Sequence, residues 1–120
     1  MEQTNRLNVA IVGKNILQRF GGVSVENHLN IIRPKDGAEP QISLETLRFI
    51  LMSRPIDKVF RAMNGSVAVS AYELNALRLP NLRFAKMLDQ AIQSGAKKAQ
   101  LDKMIDIAYS STKLSDMHAA

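Results

Sequence analysis

Ile56, Val59, Phe60 and Met63 stand at positions i, i+3, i+4 and i+7 of a segment bounded by Pro55 and by Asn64-Gly65. That spacing puts their side chains on one face of an α-helix; proline is accommodated in a first helical turn, and an Asn-Gly pair takes the left-handed conformation that stops one. Such a stripe is a core face, so the chain must supply further apolar faces to cover it. Leu44, Leu47, Ile50 and Leu51 recur at helical spacing behind Ser43, a capping residue, and Ser53-Arg54-Pro55 separates this helix from the next. Asn81 is placed to cap a third helix with Phe84, Leu88, Ala91 and Ile92 inward. Ser94-Gly95 breaks it, and a last helix carries Leu101, Met104, Ile105, Ala108 and Tyr109 on its apolar side. Lys58 and Arg61 fall on solvated faces, and the tail from Ser110 to Ala120 is small and polar and is expected to fray.

Other segments read as extended. In Asn8 to Phe20 two apolar clusters, Val9–Val12 and Ile16-Leu17, flank Gly13-Lys14-Asn15, which suggests two strands or a strand with a bulge. After the Gly21-Gly22 turn, Val23, Val25, Asn27, Leu29 and Ile31 alternate with Ser24, Glu26, His28, Asn30 and Ile32, a strand that Arg33-Pro34 ends before a loop over Lys35 to Pro40. From Gly65 to Pro80, Val67 and Val69 share one face; Ser70 can cap a helical turn over Ala71 to Leu74; and Leu77 and Leu79 resume a two-residue alternation until Pro80. The expected fold is therefore α+β, a small mixed sheet of short strands packed with about four helices, two of them at the C-terminus. The expected domain runs over residues 1–110, with 111–120 as the tail.

A length of 120 residues and 46% hydrophobic content suit a single folded domain. With aromatics at only 5%, the core is expected to rest on Leu, Ile, Val and Met. The absence of cysteine excludes disulfides, thiolate metal sites and cysteine nucleophiles, and suits the cytoplasm. No apolar run approaches the roughly 20 residues of a membrane span, and the first residues do not form a signal peptide. Lys and Arg total 16 against 11 for Asp and Glu, a net charge of +5 that favours anionic partners, nucleic acid first.

Catalytic motifs are missing. No Gly-x-Gly-x-x-Gly and no Gly-Lys-Ser/Thr loop occurs, and His28 and His118 lack metal-ligand spacing. Glu26 and His28 share a strand face, yet such a pair is more often a surface hydrogen bond or part of a binding face than an acid–base couple. The sequence reads as that of a protein that binds.

The segments "GGVSVENHLNIIRP" and "MSRPIDKVFRAMNGSVAVSAYELNALRLP" resemble the C-terminal, target-recognising part of adenine-specific DNA methyltransferases of restriction-modification systems. The residues that carry the likeness are Met52-Ser53-Arg54, Asn64-Gly65-Ser66, Val69 to Leu74, Leu77 to Pro80 and the closing Lys103 to Ser110, so that it covers about residues 19 to 110. The resemblance implies a target-recognition domain that binds double-stranded DNA. It also implies an S-adenosylmethionine-dependent catalytic domain outside this chain, because the Asn/Asp-Pro-Pro-Tyr/Phe motif that grips a flipped adenine and the Gly-rich cofactor loop are both missing. Arg78 between Leu77 and Leu79 departs from the family's leucine run and adds a positive charge.

On this reading Lys14, Arg19, Arg33, Lys35 and Arg78 contact phosphates. Asn15, Gln18, Asn27, His28 and Asn30 read base edges, and Ser66, Ser70 and Tyr72 lie beside a small-residue turn that can approach a phosphate or base. The alternative is an interaction or scaffold module that docks a methyltransferase or endonuclease subunit, or a second copy of itself as a homodimer, through Met87, Leu88 and Met104.

Overall fold

The computed structural model describes residues 7–13, 15, 19, 30–63, 71–111 and 118–119, of which Met63, Ser111, His118 and Ala119 by backbone alone. Helices make up most of them: α1 (Leu44–Leu51), α2 (Arg54–Met63), α3 (Ala71–Asn75), α4 (Leu82–Gln93) and α5 (Lys98–Ser111). Extended pairing among the described residues is confined to two short segments, β1 (Arg78–Leu79) and β2 (His118–Ala119), which meet antiparallel with Arg78 opposite Ala119 and Leu79 opposite His118.

The domain is thus mostly helical, and the α+β expectation of a small mixed sheet is overturned. Asn8 to Gly13 are irregular, while Asn15 and Arg19 have helical backbone. Asn30 to Arg33 are not strand either, and Ile31 and Ile32, which the alternation placed on opposite faces, are both exposed. The remainder of that expected strand, and Val67 and Val69, lie outside the described residues. A two-residue alternation makes a strand only where another strand completes its ladder, and here the segment around Leu77 and Leu79 finds just two residues to pair with.

Local chemistry sets the helix ends. Ser43 caps α1, its Oγ accepting from Thr46 N at 3.2 Å, and Asn81 caps α4 by accepting from Phe84 N at 2.9 Å. The break between α1 and α2 falls at Met52-Ser53, where Ser53 O receives Asp57 N at 2.9 Å and starts the next helix with Pro55 in its first turn. At the end of α4, Gly95 sits at φ 82, and the N–H groups of Gly95 and Ala96 donate to Ile92 O and Ala91 O, each at 3.0 Å. A Cβ at Gly95 would meet nothing within 4 Å, so the cost of Gly95→Ala is conformational alone. It is expected to destabilise the domain by about 1–2 kcal/mol in urea unfolding; an unchanged midpoint would mean that the turn does not need a left-handed residue.

The core gathers Leu7, Ile50, Leu51, Ile56, Phe60, Leu77, Leu88, Leu101 and Ile105, contributed by the N-terminal segment, α1, α2, β1's approach, α4 and α5. Its largest fully buried side chain is Phe60. Two members of the expected stripes turn outward, Leu44 at 46% and Val59 at 38% exposure, while Thr46 is fully buried. Arg48 fastens the N-terminal segment by donating from Nε to Val9 O at 2.8 Å. Tyr109 of α5 donates its hydroxyl to Arg78 O at 2.9 Å, and burial pushes its phenol pKa up, so it stays a neutral donor.

Candidate nucleic-acid interface

Helices α4 and α5 form a hairpin closed by Ser94 to Lys97 and packed face to face. Its carboxylates are Asp89, Asp102 and Asp106, and each is engaged. Asp89 Oδ1 receives Thr46 Oγ1 at 2.5 Å, Ser43 Oγ at 2.8 Å and Ser43 N at 3.1 Å. These donors, Thr46 foremost and then the Ser43 hydroxyl and amide, hold the Asp89 carboxyl below its ordinary pKa. A carboxylate held ionised by three donors is a poor proton acceptor; its place at the start of α1 makes it a clamp between helices and a partner for the positive end of α1. Asp102 pairs with Lys98 at 2.9 Å within α5, and Asp106 pairs with Arg54 of α2 at 2.8 Å.

The cations of the same hairpin are disposed differently. Arg83 and Lys86 on α4, Lys97 in the turn and Lys103 on α5 are exposed, and they enter no ion pair among the described residues. The first turn of α4 carries no acid. Elsewhere Lys58 on α2 and Arg33 and Lys35 in the loop before α1 are likewise exposed.

Of the residues that sequence reasoning singled out, Asn15, Arg19, Asn30, Arg33, Lys35, Tyr72 and Arg78 are exposed, Tyr72 at 83%. Arg33 and Lys35 share one irregular loop; Tyr72 lies on α3 and Arg78 on β1. Lys14, Gln18, Asn27, His28, Ser66 and Ser70 lie outside the described residues. Arg83, Lys86, Gln90, Lys97 and Lys103, all exposed on the hairpin, are not among those expected contact residues. For Arg83, Lys86 and Gln90 the signal is the polar counter-face of the Phe84, Leu88, Ala91, Ile92 stripe, read as a surface in its own right; Lys97 and Lys103 lie in the turn and on α5, outside that face. The docking anchors fare unequally, since Leu88 is fully buried and Met104 half-buried, which leaves Met87, 54% exposed, as the one facing solvent.

Two open grooves flank the exposed Arg54–Asp106 pair. One, of about 840 Å³, runs between α1 and α5 over Phe49, Met52 and Leu101; the other, of about 630 Å³, lies between α2 and α5 beside Val59 and Tyr109. Both have charged rims of mixed sign. Among the described residues no group of His, Asp or Glu could hold a metal ion, and no helix is long and apolar enough to cross a membrane. Compared with known proteins, the chain matches no family model, no curated protein and no solved structure.

Proposed function

We propose that the chain binds duplex DNA, acting as the target-recognition module of an adenine-specific DNA methyltransferase whose catalytic, S-adenosylmethionine-dependent domain lies elsewhere. The observation that carries the DNA contact is the division of charge on the α4–α5 hairpin: its carboxylates are taken up by Ser43, Thr46, Lys98 and Arg54, and Arg83, Lys86, Lys97 and Lys103 point to solvent. A surface whose cations outnumber its available anions attracts a polyphosphate backbone and gains affinity by releasing counterions. The link to a methyltransferase rests on the sequence resemblance around Met52 to Arg54 and Val69 to Pro80; the mixed sheet expected from the alternating segments forms no part of the proposal. Docking of a protein partner through Met87, Leu88 and Met104 is the weaker reading, because burial withdraws Leu88 altogether.

The test is fluorescence anisotropy of the chain against random-sequence duplex across a salt series. The affinity is expected to fall steeply with salt, with a slope of about −0.9 per phosphate neutralised. Replacing Lys97, Lys103 or Arg33 by alanine should weaken binding to every sequence alike and flatten the slope by about one unit each. An absence of binding at low salt, or a slope indifferent to all these substitutions, would reject the proposal.

A further inference from the structure

We infer that the outer face of α4 is the element that reads DNA sequence, lying in the major groove with Arg83, Lys86 and Gln90 on base edges and Met87 against thymine methyl groups. This rests on the duplex-binding reading above and assigns its specificity to one helix. At 3.6 residues per turn Arg83, Lys86, Met87 and Gln90 fall within an arc of about 100°, and all of them are exposed. The opposite arc holds Ala85 and Leu88, buried, and Phe84, Ala91 and Ile92, packed on the core. Asp89 projects sideways into its bonds with Ser43 and Thr46, so no carboxylate lies on the outer arc.

The residue types suit the task. Arginine and lysine donate to guanine O6 and N7, glutamine pairs with adenine N6 and N7, and an apolar side chain contacts the thymine methyl. An α-helix fills a groove about 12 Å wide. From Arg83 to Gln90 the helix rises about 10 Å, which at about 3.4 Å per base pair covers three pairs. The occupant is specified by charge complementarity: the arc bears cations and an amide donor and acceptor, and nothing negative. A backbone fixed at both ends, by Asn81 and by the Gly95 turn, and clamped through Asp89 holds these side chains in register.

The experiment selects preferred duplexes from a random pool with the full chain, then compares Arg83→Ala, Gln90→Ala and Lys97→Ala on the selected and on random duplex. Arg83→Ala and Gln90→Ala should each lower affinity for the selected duplex by roughly 5- to 150-fold, the equivalent of one bidentate base contact, with a much smaller change on random duplex. Lys97→Ala should lower both in proportion. Guanine N7 protection from dimethyl sulfate in the selected site should disappear with Arg83→Ala, and circular dichroism melts should show that these exposed substitutions leave the fold intact. If random duplex is bound with a steep salt dependence but no preference can be selected, or if the preference survives both substitutions, α4 is not the reading helix although the chain still binds DNA. If no duplex is bound at all, both readings fall together.

Discussion

Phe60→Ala is expected to cost the domain about 3–5 kcal/mol and to lower its thermal midpoint by roughly 10–20 °C. Phe60 has no exposed surface, and it packs in one cluster with Ile50 and Leu51 of α1, Leu88 of α4 and Leu101 and Ile105 of α5. Removing its ring therefore opens a cavity where several helices meet, and close-packed neighbours relax only partly into such a space. A domain of this size is stable by only about 5–15 kcal/mol, so the variant keeps little margin. Val59, one residue earlier on the same sequence stripe and 38% exposed, supplies the control: Val59→Ala should change stability by less than about 1 kcal/mol. Chemical unfolding of both variants checks the pair. Equal losses would mean that α2 is rotated from the orientation described.

Asp89→Ala is expected to cost about 2–3 kcal/mol at neutral pH, with a distinctive dependence on acid. The carboxylate accepts from two hydroxyls and an amide, and the substitution takes the charged acceptor from the hydroxyl of fully buried Thr46, leaving it the Ser43 hydroxyl at 3.0 Å. Because the folded pKa lies below the unfolded value of about 3.9, the contribution of the ionised group is complete above that value and is lost as the pH falls through the lower folded one. The stability gap between wild type and Asp89→Ala should consequently be constant from neutral pH down to roughly pH 5, then narrow in stronger acid. Urea unfolding at a series of pH values measures it. A gap that persists unchanged in strong acid would show that Asp89 is not held as an anion. Asp106→Asn, which removes an ion pair with an 83% exposed arginine side chain, should cost under about 1 kcal/mol by the same method.

Both predictions turn on facts that the sequence conveys unequally. The stripe Ile56, Val59, Phe60, Met63 announces a helix, but its members differ in burial because packed neighbours cover only part of an apolar arc. Thr46 looks like a surface residue of α1 and is a core residue, since Asp89, 43 positions later, brings a charged acceptor to its hydroxyl. Arg33, Lys35 and Arg78, the described residues expected to contact phosphate along with Arg19, were legible as cations in irregular or extended segments. The α4 surface was not, because attention to its apolar stripe treats the opposite arc as mere solvated exterior.

What the sequence by itself determined was the punctuation of the chain: Ser43, Pro55, Asn81 and Gly95 start and stop helices through bonds to residues a few positions away, and such chemistry is complete within one turn. The helical turn at Ala71 and the inward set Leu101, Ile105 and Ala108 are legible for the same reason. Only the tertiary structure decided that alternating segments do not assemble into a mixed sheet, that Asp89 clamps α4 to α1, and that the hairpin's acids turn to partners while its cations face outward. A strand, a buried acceptor and a charged surface are each defined by what lies opposite in space, and that is set by packing among residues tens of positions apart.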